Sequence, residues 1–123
     1  MAANCEKTII IMGLEKRRFV NKLDFLTSIG FGDGSARYRE KAGVMGSGPY
    51  RVITQLGVYG FDDRTKRLKL ASLHPGITIE EVKENSGFEI IVPEKFRKSP
   101  EPTAEHLRIL REEIDPAGIV LGK

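Results

Sequence analysis

The sequence predicts an α/β domain, on three observations: one short run of β-branched residues, two β-rich runs split by a polar turn, and helices with legible caps. At 123 residues it fits a single domain over 1–123, long enough to bury a core without disulfide or metal. Hydrophobic residues make up 40% and charged residues 30%, which suits a folded chain better than a disordered one.

Residues 7–12, KTIIIM, form a continuous apolar run of the kind buried on both faces in parallel sheets. Residues 22–28, KLDFLTS, alternate well enough to predict a second short strand. Six glycines then fall between Gly30 and Gly48, which is loop composition with room for a turn of helix near 36–41. Residues 51–74 read as a hairpin about DDRTK, with Val52, Leu56 and Val58 on one face and Leu68 and Leu70 as partners.

After His74, Pro75 and Gly76, Thr78 is placed as an N-cap and Glu81 three residues on completes a capping box. Gly87 suits the left-handed C′ position, which predicts a helix over about 79–86. FEIIVP, residues 88–93, reads as a strand ended by proline, and residues 94–102 as a charged linker. Thr103 caps a final helix stopped by Asp115 and Pro116, with Leu107, Leu110 and Ile114 on one stripe and His106 exposed near its start.

Composition excludes several kinds of chemistry. The longest apolar run, 9–12, is too short to cross a bilayer and no signal peptide is recognisable, so a cytoplasmic protein is expected, with no membrane partner. Cys5 stands alone, which rules out an internal disulfide, and its surroundings suggest an inert thiol. Two histidines 32 positions apart with one cysteine predict no zinc site. Net charge is +3 with the basic residues dispersed, which argues against nucleic acid. Lys16, Arg17 and Arg18 are the exception, a run that could meet phosphate but more often is solvated surface.

Two features invite a functional reading. His74 is a candidate base lifted by the turn after it, or else the corner where a strand hands over to a helix; the downstream caps favour the corner. Ser72 lies two residues before it on a predicted strand, without an oxyanion motif around it. Gly30, Gly32 and Gly34 make a GxGxG that lacks both the Walker and the dinucleotide spacing. Its length and the polar pair Asp33 and Arg37 still make Gly32, Asp33 and Gly34 candidate substrate-binding residues.

Four blocks in order, RRFVNKLDFLTS, GPYRVITQLGVYGF, LHPGITIEEVKENSGFEIIVPE and EPTAEHLRILREEIDP, resemble the C-terminal half of the β subunit of family I coenzyme A transferases, the glutaconate CoA-transferase type above all. The resemblance implies a three-layer α/β/α fold of the NagB/RpiA/CoA-transferase-like kind, largely parallel with an added antiparallel hairpin. It implies a reaction in which a glutamate carboxylate attacks an acyl-CoA thioester, forming a mixed anhydride and then an enzyme-CoA thioester that a second acid resolves.

That glutamate belongs to a Ser-Glu-Asn-Gly type motif, which this sequence does not contain; Glu6, Glu15 and Glu40 stand in no such context. The resemblance therefore implies no catalytic residue here, CoA thioester as substrate with no tightly bound cofactor, and an oligomer completed by the N-terminal half or another subunit. The alternative is a noncatalytic remnant acting as an interaction domain. The two differ in what they expect of the surface: exposed apolar faces for the first, polar or closed faces for the second. Gln55 stands where the family commonly has aspartate, and Ser86 where it commonly has threonine.

Overall fold

A computed structural model describes residues 2–35, 37–120 and 122. After a single 3₁₀ turn at Ala2–Asn4, the elements run β1 (Thr8–Ile11), α1 (Tyr38–Lys41), β2 (Pro49–Ile53), β3 (Gly57–Phe61), β4 (Leu68–Leu73), α2 (Ile79–Glu84), β5 (Arg97–Lys98) and α3 (Ala104–Arg108), the last continuing as a π-helical run over Ile109–Ile114. The five strands form one sheet in sequence order. Its outer pairings, β1 with β2 and β4 with β5, are parallel, and the two between them are antiparallel. The α/β class holds, with a mixed sheet in which the expected hairpin is the middle of a three-stranded meander.

The meander arises because the run at 51–61 is two strands. Thr54 breaks it. Its hydroxyl donates to the Gly57 carbonyl at 3.2 Å and accepts from the amides of Leu56 and Gly57, so the chain reverses between Ile53 and Gly57. The second turn is organised by Asp62, whose carboxylate accepts from the amides of Arg64 and Thr65 and from the Thr65 hydroxyl. In the β3–β4 pairing the register steps from Val58 opposite Ser72 to Tyr59 opposite Leu70, so the extra residue is Ala71 on β4, and Leu70 and Leu73, three apart, both face inward. Tyr59, rather than Val58, joins the core, paired with Val52 on one side and Leu70 on the other.

One face of the sheet carries that core. Leu14, Tyr59, Leu70 and Val82 are its most enclosed members, with Phe19, Val52, Leu56, Leu68, Leu73 and Ile90 around them. Helix α2 closes this face through Val82, and its start is the predicted capping box: Glu81 N–H donates to Thr78 Oγ1 at 3.2 Å while Thr78 N–H donates to the Glu81 carboxylate at 2.7 Å. The helix ends sooner than expected, at Glu84. Gly87 is not its left-handed cap; it lets two segments touch, its amide donating to the Phe19 carbonyl at 2.7 Å where an added Cβ would lie only 2.5 Å from that oxygen.

Other expectations are corrected. β1 is an edge strand whose Ile9 and Ile11 are 56% and 78% exposed, so it is not buried on both faces. Residues 22–28 form no strand: Leu23, Phe25 and Leu26 lie on the surface, outside the sheet. Residues 88–93 contribute a single bridge, Ile91 to Lys69, and the sheet's last strand is instead β5, inside the stretch read as linker. The helical turn expected at 36–41 is α1, and Ala36 lies outside the described residues. Thr103 caps α3 as expected, accepting from His106 N–H at 3.1 Å. On α3 and its π-helical continuation, Leu107 and Leu110 of the expected stripe are half-buried and Ile114 is 69% exposed.

Candidate functional site

His74 stands just past the end of β4, with contacts that belong to a corner. Its amide donates to the Leu56 carbonyl at 3.1 Å, and Nε2 lies 3.0 Å from the Thr54 carbonyl. A carbonyl only accepts, so Nε2 carries the proton and the ring ties the β4 end to the β2–β3 turn. These two bonds hold the strand-to-helix corner. Ser72 is not brought to it; the Ser72 hydroxyl meets the Ser99 hydroxyl at 2.9 Å, on the β5 side.

The glycine loop is also turned to structural use. Gly32 and Gly34 have φ of 53° and 80°, and their amides donate to the carbonyls of Ile29 and Phe31 at 2.9 Å each. Those two amides are therefore not available to an anion. Asp33 Oδ1 accepts from the Ser35 amide at 2.8 Å, which lowers its pKa from the ordinary value. Arg37 does not pair with it; the guanidinium grips Glu40 through two bonds of 2.9 and 2.7 Å.

Glu6, Glu15 and Glu40 all lack the setting of a nucleophile. Glu15 binds Arg17 at 2.5 Å and Arg18 at 3.6 Å, and the Arg17 hydrogen bond holds its carboxylate below the usual range. The basic run at 16–18 is thereby partly neutralised by its own neighbour. Glu40 is held low by Arg37, and Glu6 accepts from the Ser47 hydroxyl at 3.2 Å. Among the described residues no group of three His, Cys, Asp or Glu is placed to hold a metal ion. Cys5 lies on the surface.

What the sequence reading missed lies on the sheet face opposite the core. Arg51, Gly60 and Lys69 alternate with the buried Val52, Tyr59 and Leu70, so the period of two turns them outward together. With Lys95 and Arg97 they line a hollow of about 460 Å³, which Ala71 also borders. The alternation was visible in RVITQ and RLKLA. The approach of residues 93–97 was not, because it depends on β5.

The positions that depart from the family pattern also acquire meanings. Gln55 accepts from Leu14 N–H at 2.8 Å and donates to Leu14 C=O at 3.1 Å, so its amide acts as one rung of a strand. Ser86 is buried, and its hydroxyl donates to the Phe88 carbonyl at 2.7 Å, closing the turn after α2.

Residues 1–85 match the Coenzyme A transferase family model. The β subunit of glutaconate CoA-transferase from Acidaminococcus fermentans is 43% identical over 93% of this chain and 42% of its own length. The β subunit of 3-oxoadipate CoA-transferase from Pseudomonas knackmussii is 36% identical over 90% of this chain and 42% of its own. In structure, the glutaconate coenzyme A-transferase of A. fermentans superposes with a TM-score of 0.88 at 40% identity, over 98% of this chain and 46% of that one. IpdAB of Rhodococcus jostii superposes with a TM-score of 0.73 at 28% identity, over 92% and 45%. The chain spans less than half the length of these relatives. With the fold, the four sequence blocks and the family model in agreement, the chain belongs to the coenzyme A transferase family.

Proposed function

We propose that this chain is one part of a CoA-transferase moving CoA between an acyl-CoA and a carboxylic acid, with the nucleophilic glutamate supplied by another chain, the N-terminal half of a β subunit or its equivalent. The observation that carries this reading is the apolar surface left uncovered. Ile9 and Ile11 project from edge strand β1, Phe25 and Leu26 are 79% and 53% exposed, and Ile114, at the end of the last helical run, is 69% exposed. An edge strand reading TIII has none of the charge or proline that guards a solvent edge. Surfaces of this kind mark places where another polypeptide sits. A remnant with no partner would be expected to have turned them polar, so the noncatalytic alternative is disfavoured.

In this reading the chain's residues position rather than react. The partner's carboxylate attacks the thioester carbonyl and expels CoA as thiolate, leaving a mixed anhydride. The thiolate returns to the glutamyl carbonyl and frees the first acid, giving an enzyme-CoA thioester for the second acid to resolve. CoA is a substrate, no tightly held cofactor takes part, and the complex works in the cytoplasm as an oligomer.

The same fold serves other reactions, since a cholesterol ring-cleaving hydrolase IpdB subunit of R. jostii is 37% identical over 57% of this chain. Identity to the glutaconate enzyme is higher and covers more, which favours transfer. Co-expression with a protein bearing the Ser-Glu-Asn-Gly motif tests this. The expected result is a stable complex that exchanges CoA between acyl-CoA and free acid and traps CoA on the partner's glutamate. A complex that only hydrolyses substrate, or no complex with any such partner, would overturn it.

A further inference from the structure

The strand registers order the outer sheet face into two rows. Val52, Tyr59 and Leu70 are buried on the core side, so their strand neighbours Ile53, Val58 and Lys69 turn outward by the period of two. In the first row Ile11 lies beside Ile53, Ile53 beside Val58, Val58 beside Ser72 and Ser72 beside Arg97. In the second Ile9 lies beside Arg51, whose guanidinium crosses Gly60, the neighbour of Lys69. The face is therefore aliphatic at its β1 end and cationic toward β5.

Aliphatic side chains on a sheet face gain stability when a second layer covers them, and a helix does this without presenting unpaired backbone groups. Strands lie about 4.8 Å apart, so the run from Ile11 to Val58 spans about 10 Å, the width of one helix. A helix laid there has one flank beyond the β1 edge and the other toward Arg51, Lys69 and Arg97. Among the described residues no carboxylate lies within ion-pair distance of Arg51 or Arg97, and Asp62 comes only to 3.9 Å from Lys69. Arg17, Arg37, Arg67 and Arg108, by contrast, each hold a carboxylate at 3.0 Å or less. Cations left without counter-ions set the charge of what settles over them, since carboxylates relieve their repulsion and further cations add to it. The glutaconate and 3-oxoadipate relatives carry more than half of their length outside the part this chain matches, which is room for such a helix.

We propose that the outer sheet face seats an amphipathic helix of another chain, its aliphatic stripe on Ile9, Ile11, Ile53 and Val58 and its carboxylates on the one flank that faces Arg51, Lys69 and Arg97. Assigning that helix to the chain that bears the nucleophilic glutamate rests on the transferase reading above.

Fluorescence anisotropy with two labelled helical peptides tests the seat on the purified full chain. Both carry the same leucine stripe, one with glutamates along a flank and the other with lysines. The glutamate peptide is expected to bind saturably and at least about ten-fold more tightly than the lysine peptide, with the difference shrinking as salt rises. Ile11→Asp and Arg97→Glu, both at exposed positions, are each expected to weaken the glutamate peptide at least about ten-fold, through loss of apolar burial and of a charge-assisted contact. Arg111→Glu, the same charge change on the last helical run, is expected to leave it unchanged. No saturable binding, equal affinity for the two peptides, or equal losses in Arg111→Glu and Arg97→Glu would each overturn the proposal. Amine labelling of Lys69 in the co-expressed complex, read by mass spectrometry, separates the two readings. CoA transfer with Lys69 labelled as fast as in the chain alone sinks the helix seat only, whereas a shielded Lys69 in a complex without transfer sinks the transferase reading only.

Discussion

The side chain of Gln55 bonds to both backbone polar groups of Leu14, accepting from its N–H at 2.8 Å and donating to its C=O at 3.1 Å. Leu14 is fully enclosed, so Gln55 carries the sheet's hydrogen bonding past the end of β1. An aspartate here, common in the family, could accept from the N–H but not donate to the carbonyl. The amide therefore supplies a donor that a carboxylate lacks.

Gln55→Glu keeps the acceptor and removes the donor, and Gln55→Ala removes both. We expect Gln55→Glu to cost roughly 1 kcal/mol and Gln55→Ala roughly 1–3 kcal/mol, because a buried backbone group loses its partner in each case. Urea denaturation monitored by circular dichroism measures both, and equal stabilities for Gln55→Ala and the parent would show that water replaces the amide without loss.

Tyr59 is fully enclosed, and its hydroxyl has no well-formed hydrogen-bond partner among the described residues. Burial raises the pKa of this phenol, with the nearby Thr54 hydroxyl offsetting part of the effect. The ring is needed between Val52 and Leu70, and the oxygen is not. Tyr59→Phe is expected to match or exceed the parent in stability, by up to about 1 kcal/mol, since it removes a desolvated group that gains nothing in return. A Tm lowered by several degrees would instead reveal a hidden partner for the hydroxyl.

How far the sequence could be read depended on whether the deciding contact was local. The box of Thr78 and Glu81 and the cap at Thr103 are satisfied within one helical turn, and both were legible. The break at Thr54 was missed because a β-rich run does not announce where it reverses; a hydroxyl with three short-range bonds made the turn. The bulge at Ala71 was invisible for the opposite reason, as it exists only in the pairing of β4 with β3. His74 shows both limits together. Its corner position followed from Pro75 and Gly76, but its hydrogen bond to Thr54 required the meander. The basic hollow joins β2, β3 and β4 to the segment at 93–97, and only the sheet brings them together.

The capping box also sets an acid limit. Glu81 has its pKa lowered from the ordinary glutamate value, first by the Thr78 amide and then by the Thr78 hydroxyl. A carboxylate whose pKa is depressed on folding stabilises the folded state above its unfolded pKa, near about 4.3 for glutamate. That contribution is lost as pH falls through the lower folded value. Asp62 and Asp33, held low by the backbone amides of Thr65 and Ser35, act in the same direction. Stability should therefore be level from pH 7 to about 5 and decline below about 4. Glu81→Gln should flatten part of that decline while lowering stability at pH 7, because an amide accepts the Thr78 amide less strongly than a carboxylate does. Thr78→Ala should cost about 1 kcal/mol at neutral pH, with the Glu81 share of the acid slope removed as well. Thermal melts from pH 3 to 7 on the three proteins check both points, and identical pH profiles in the parent and Glu81→Gln would show that the box contributes nothing to acid stability.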